Sequence, residues 1–385
     1  MNVKQDDKKY IANTYARNDL HLVKGKGSLV YDEQGKEYID LATGIAVNTF
    51  GYADDEWNNA VCEQLSKLSH TSNLYYSTPC VTLAKMLSEK TGCKKTFFSN
   101  SGAEANECAI KAARKYAENK GVSDGVILTL VNSFHGRTLT TLAATGQDVF
   151  HSDFLPLTSG FVYAKANDIA DLKEKIENNN VIAIMFEVVQ GEGGVMPLEK
   201  TFVDEIKSQA KEKDILIICD EVQVGNGRSG KLYGYMNYDI TPDIVSTAKG
   251  LAGGLPLGAT MLFDKCEDVF TPSSHGSTFG GNPVCAAAAV NVLSRIDDAL
   301  LSDVREKSNY IFEQLENAQG VVSVSGLGLM IGIETVKDAS LVIQECMENG
   351  VIVIKAKNKV RLLPALNIPF ETLVTAVEIL KNACK

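Results

Sequence analysis

Five apolar runs of strand length constrain this chain most: "VILTLV" (126–131), "VIAIMFE" (181–187), "ILIICDE" (215–221), "DIVSTA" (243–248) and "TMLF" (260–263). Their apolar residues are continuous rather than alternating, which suits parallel strands covered on both faces. Between them lie stretches of helical periodicity such as "TFVDEIKSQAKEKD" (201–214). Strand and helix in alternation predict an α/β fold with a mainly parallel central sheet.

The texture changes near residue 291. "VNVLSRIDDALLSDVREKSNYIFEQLENA" reads as one or two long helices. Short strands follow around "VSVSGLGLMIGIET" and "VIVIKAKNKVRLLP", then a closing helix, "FETLVTAVEILKNAC". At 385 residues the chain exceeds the usual single domain. The expected division is a large domain over 56–290 and a smaller C-terminal α+β domain over 291–385. An N-terminal segment, 1–55, with the hairpin-like "SLVYDEQGKEYIDLATG", is expected to pack with the smaller one.

The net charge of −10 argues against nucleic acid as a partner, because phosphate binding needs a basic face. The polar start "MNVKQDDKKY" and the absence of an apolar run near ~18 residues argue against a signal peptide and a membrane span. Nine cysteines without a CxxC pair, and five scattered histidines, argue against a disulfide framework or a metal site. A cytoplasmic protein is expected.

In open α/β sheets, ligands bind at the carboxyl ends of the strands. "SNSGAEANE" starts at Ser99, and small residues at a helix start can close backbone N–H groups on a phosphate. Ordinary capping by Asn100 or Ser101 explains the same residues. "VNSFHGRT" gathers Phe134, His135 and Arg137, either an aromatic platform with a carboxylate clamp or a plain surface loop. "EVVQGEGGV" places Glu187 and Glu192 around a glycine turn that by itself reads as solvated surface. Asp220 ends an apolar strand, where a carboxylate needs a cationic partner. Lys249 ends another, inside "DIVSTAKGLAGGLPLG", and an amine in a dry site is readily deprotonated into a nucleophile. A strand-end Asp, a strand-end Lys, a phosphate-type helix start and an aromatic platform together match the needs of pyridoxal phosphate.

Several further motifs occur in a specific order. They are "GIAV" (44–47), "HTSNLYY" (70–76), "SNSGAEANE" (99–107), "FHGRT" (134–138), "QGEGGV" (190–195), "DEVQ" (220–223), "AKGLAGGLPLGA" (248–259), "GSTFGGNP" (276–283) and "RLLP" (361–364). Over nearly its whole length the chain resembles the class III pyridoxal-phosphate aminotransferases of fold type I, most closely the acetylornithine aminotransferases. The resemblance implies that Lys249 forms the internal Schiff base with pyridoxal 5'-phosphate and later shuttles the proton. It implies that Asp220 pairs with the pyridinium nitrogen and Gln223 with the phenolic oxygen. Val222 and Phe134 would cover the two ring faces. The Gly102 and Ala103 amides would hold the phosphate, and Thr278, beside Ser277 at the substrate side, would complete the phosphate cup of a neighbouring subunit in a homodimer with shared active sites.

On the same resemblance, Arg361 holds the α-carboxylate of 2-oxoglutarate, Glu192 neutralises Arg361 when the amine donor is bound, and Arg137 binds the distal carboxylate of both substrates. The expected reaction moves the terminal amino group of N2-acetyl-L-ornithine to 2-oxoglutarate by a ping-pong mechanism, as in arginine biosynthesis. Succinylornithine, ornithine or 4-aminobutyrate as donor, or a non-catalytic pyridoxal-phosphate protein, are the alternatives. The chain departs from the family pattern in four places: Val188 stands where proline is usual, Val224-Gly225 replaces threonine-glycine, Asn226 follows in the loop, and "FGYADDE" (50–56) stands for the usual "LGHxHP".

Overall fold

The computed structural model describes residues 2–385. Its centre is a seven-stranded sheet, ordered in space Lys95–Ser99, Gly258–Leu262, Ile244–Thr247, Leu216–Asp220, Val181–Phe186, Val126–Leu130 and Phe161–Ala164. The pairs that join Ile244–Thr247, Leu216–Asp220, Val181–Phe186, Val126–Leu130 and Phe161–Ala164 are all parallel. The α/β reading with a mainly parallel sheet therefore holds, with one correction. The "TMLF" segment belongs to a strand, Gly258–Leu262, that runs antiparallel to both neighbours. The chain reverses through the short turn after Lys249, too little sequence for the crossover that a parallel return requires.

Helices cover the sheet. Side chains such as Leu128, Ile184 and Ile218 have no exposed surface, and each contributes about 2 kcal/mol by burial. The helix Gly102–Asn119 presents Ala105, Cys108, Ala109, Ala112 and Ala113 to the protein interior. These small residues let its backbone lie close to the strands Ile244–Thr247 and Gly258–Leu262. The helix starts sharply because Ser101 Oγ accepts from the Glu104 N–H while the Glu104 carboxylate reaches back to Ser101 Oγ and the Asn100 N–H.

A second sheet holds Val321–Leu327, Met330–Thr335, Lys359–Leu362 and Ile354–Ala356. A third joins the two ends of the chain. The hairpin Leu29–Asp32/Glu37–Asp40 pairs onward in parallel with Val351–Ile352, so Ile39 stands opposite Val351. Leu41 lies in the same core as Ile331, Val360 and Leu373. The helix Pro283–Arg295 spans residue 290, so a boundary at 290/291 falls within one rigid element. Among the described residues no helix is long and apolar enough to cross a membrane, and no group of three or more metal-ligating side chains comes together.

Candidate active site

The carboxyl ends of the parallel strands surround a cavity of about 240 Å³, lined by Gly102, Ala103, Phe134, Arg137, Glu187, Asp220, Val222, Gln223 and Lys249 among others. Residues dispersed over some 150 positions of sequence are thus gathered by the order of the strands. Asp220 is the last residue of Leu216–Asp220 and is 3% exposed. Its Oδ2 accepts from Asn106 Nδ2 at 2.7 Å and lies 2.8 Å from His135 Nδ1; its Oδ1 accepts from the Val222 N–H at 3.0 Å. Asn106 also donates to the His135 carbonyl at 2.7 Å, so the histidine is held from both its ring and its backbone. Asn106, His135 and the Val222 N–H thus hold the Asp220 carboxylate in one orientation.

Lys249 follows the strand Ile244–Thr247 and opens a short 3-10 turn. Its φ is +44°, the left-handed region that a lysine seldom occupies. The turn is held from outside: Thr49 Oγ1 donates to the Gly250 carbonyl at 2.7 Å, and Asn226 Nδ2 donates to Thr247 Oγ1 and the Ala248 carbonyl at 3.0 and 3.1 Å. Burial pulls the Lys249 ammonium below the ordinary lysine range. Glu192 opposes that shift through space and Arg361 reinforces it. The result is an amine poised to lose its proton.

At the far side of Gln223 lies an ion pair. Arg361 Nη1 donates to Glu192 Oε1 at 2.6 Å and to Gln223 Oε1 at 3.0 Å. Arg361 sits in the strand Lys359–Leu362 with its side chain 3% exposed, whereas the Glu192 side chain is 30% exposed. The guanidinium is fixed and the carboxylate stands at the rim. Burial raises the Glu192 pKa, but the Arg361 charge and hydrogen bond outweigh it, and the net shift is downward. Gly191 makes this approach possible, since a Cβ there would stand 2.4 Å from Gln223 Oε1.

Arg137 is exposed at the mouth, its guanidinium 4.0 Å from the Phe150 ring centroid and 5.4 Å from that of Phe134. Stacking of this kind holds the fork in one orientation. Ser277 and Thr278 do not line the cavity. Ser277 Oγ accepts from Asn100 Nδ2 at 3.2 Å and from the Gly280 N–H at 3.0 Å, while Thr278 is exposed to solvent. Three of the departures have places of their own. Val188 and Val224 are buried in the apolar core, each 1% exposed, and Asn226 braces the Lys249 turn.

Two residues gained no role from sequence. His135 and Asn106 converge on Asp220 from 85 and 114 positions away. A third, Glu187, looked like solvated surface yet is 5% exposed. No local pattern announces such contacts, since Asn106 is one of several polar residues in its helix.

The cavity fits pyridoxal phosphate by its chemistry. A helix N-terminus at Gly102 and Ala103 offers free N–H groups to an anion, and a Cβ at Gly102 would stand 2.6 Å from Val222 Cγ1, so the glycine lets the helix start meet the ring side of the site. Asp220 supplies a fixed anion, and Lys249 an amine on which only through-space charges and burial act.

Residues 10–384 match the model of the family described as aminotransferase class-III. The acetylornithine aminotransferase of Haemophilus ducreyi is 48% identical over 381 residues, 98% of this chain and 97% of that protein. The succinylornithine transaminase of Citrobacter koseri is 42% identical over 382 residues, 96% of this chain and 94% of that protein. A solved ornithine aminotransferase from Toxoplasma gondii, with partial occupancy of pyridoxal phosphate at its active site, superposes with a TM-score of 0.94 at 28% identity, covering 99% of this chain and 93% of that one. The chain belongs to the class III aminotransferases, a family of enzymes that use pyridoxal phosphate.

Proposed function

We propose that this enzyme transfers the terminal amino group of N2-acetyl-L-ornithine to 2-oxoglutarate, giving N-acetylglutamate 5-semialdehyde and glutamate, a step of arginine biosynthesis. The observation that carries the reading is the 2.6 Å pair between the buried Arg361 and the rim carboxylate of Glu192. An ω-amine donor brings no carboxylate to its reacting carbon, whereas 2-oxoglutarate does. One pocket serves both if Glu192 neutralises Arg361 for the first and withdraws for the second. An unpaired buried guanidinium would cost several kcal/mol.

When bound, pyridoxal phosphate supplies an aldehyde and an electron-withdrawing ring. The remaining roles fall to the chain. Lys249 Nζ would offer the nucleophile for the aldehyde and would carry the proton between the substrate's amine-bearing carbon and the cofactor's aldehyde carbon. Asp220, braced by His135 and Asn106, holds a proton on the ring nitrogen. Gln223 orients the phenolic oxygen, Phe134 and Val222 confine the ring, and the Gly102 and Ala103 amides take the phosphate. Arg137 holds the distal carboxylate shared by both substrates.

The same reading makes the enzyme a cytoplasmic homodimer. Leu74, Tyr75, Tyr76 and Phe279 are 85%, 71%, 100% and 60% exposed, an apolar patch around the loop that carries Ser277 and Thr278. Such a patch favours a partner, and Thr278, outside its own cavity, suits a neighbour's phosphate cup. Nine free cysteines suit a reducing compartment. The smaller body takes residues 1–55 and the C-terminal part from the end of the helix Pro283–Arg295 onward, on the support of the Ile39–Val351 pairing.

The test is a donor panel. Purified holoenzyme is mixed separately with acetylornithine, succinylornithine, ornithine and 4-aminobutyrate, and the change in the cofactor's visible absorption is timed. Acetylornithine is expected to react fastest. If 4-aminobutyrate were the only fast donor, the proposal would fail.

A further inference from the structure

Glu187 is a buried carboxylate in the cavity wall with no part in the roles above. Its two oxygens serve two different loops. Oε1 accepts from the Phe134 N–H at 2.9 Å, and Oε2 accepts from the Gly191 N–H at 3.3 Å. Phe134 belongs to the loop that confines the ring, and Gly191 immediately precedes Glu192. Gly191 in turn lies against Gln223, whose amide bridges Glu192 and Arg361. A single side chain thus spans from the aromatic platform to the residue that neutralises the buried arginine.

We propose that Glu187 is a positioning residue: its carboxylate ties the Phe134 loop to the Gly191–Glu192 turn and so holds Glu192 where it can reach Arg361. The proposal rests on the switching role given to Glu192 above. The other ionisable groups that face Glu187 are His135 and Asp220, and Lys249 feels it through space. Burial raises its carboxyl well above the usual range, the Asp220 charge adds to this, and His135 and the two N–H groups oppose it. No lysine or arginine pairs with it, so its purpose is not an ion pair. The two backbone donors meet two different oxygens, which a carboxylate supplies and a glutamine amide, with a single oxygen, does not.

Glu187→Gln keeps the shape but turns an NH2 toward one of the N–H donors. Leaving a buried donor unpaired at this junction is expected to slow the donor half-reaction by roughly tenfold. The 2-oxoglutarate half-reaction, which needs Glu192 withdrawn, should change less than about threefold. A second readout requires no turnover: hydrogen-exchange mass spectrometry of the apoenzyme should show faster exchange in peptides covering 132–136 and 188–193. Glu187→Asp, too short to bridge both amides, should show the same split and guards against a poorly folding glutamine variant. Unchanged exchange in both segments, or equal loss in the two half-reactions with Glu192→Ala still selective, would overturn the proposal. If Glu192→Ala itself affects both half-reactions equally, the switch reading fails, while the exchange data still decide whether the tether exists.

Discussion

Replacing Glu192 with alanine probes the Arg361 pair directly. The guanidinium would keep Gln223 Oε1 at 3.0 Å and the Lys355 carbonyl at 3.4 Å, but would lose its only carboxylate. Removing one partner of a fully buried pair costs about 3–5 kcal/mol. The Glu192 side chain is 30% exposed, so water can partly replace it, and a cost of about 2 kcal/mol is the better figure. In the free enzyme water can reach the vacated side of Arg361, so the cost appears when the bound donor excludes that water, whereas 2-oxoglutarate brings its own carboxylate to Arg361. At about 1.4 kcal/mol per tenfold, the donor half-reaction should lose roughly 30-fold in kcat/KM. The acceptor half-reaction should stay within about threefold, or gain slightly, since Glu192 no longer has to be displaced. Stopped-flow single turnovers, following the cofactor's visible absorption in each direction, measure the two separately. Equal losses in both directions would refute the reasoning.

Gly102→Ala puts a methyl 2.6 Å from Val222 Cγ1. The strain of about 1–3 kcal/mol should weaken binding of the cofactor to the apoenzyme by ten-fold or more, read by titration, with little change in far-UV circular dichroism. Burial raises the Glu221 carboxyl to about 8 against the pull of the Gly234 and Tyr235 N–H groups. A raised folded pKa means stability that is full below the unfolded value and is lost as pH rises toward about 8. The melting temperature should fall between pH 5 and 8, and Glu221→Gln should flatten that slope; an equal slope in the variant would remove Glu221 as its source. Tyr76, fully exposed, should matter to assembly: Tyr76→Asp is expected to shift sedimentation toward the monomer, and an unchanged profile would place the interface elsewhere.

Much of this was legible in the sequence because it is local. Continuous apolar runs mark the doubly covered strands, and motif order marks the residues at their carboxyl ends. Less legible were elements whose identity depends on neighbours. "KTFFS" (95–99) and "FVYA" (161–164) are short edge strands with mixed patterns, and only pairing makes them strands. The reversal of Gly258–Leu262 is set by a tight turn after Lys249, not by its own composition. Glu187 illustrates the same limit at the site. Its neighbours in sequence suggest a solvated turn, but the amides it serves belong to residues 53 positions back and four ahead.

The claim on which all else depends is that Lys249 is the amine at the floor of the cavity that engages the cofactor. Borohydride reduction of the holoenzyme, proteolysis and mass mapping test it in one step. The reduced cofactor is expected on the peptide containing residues 243–258, fixed to Lys249, and is expected to be absent from that peptide in Lys249→Ala. Label on another lysine, such as the buried Lys359 in the neighbouring sheet, would contradict it.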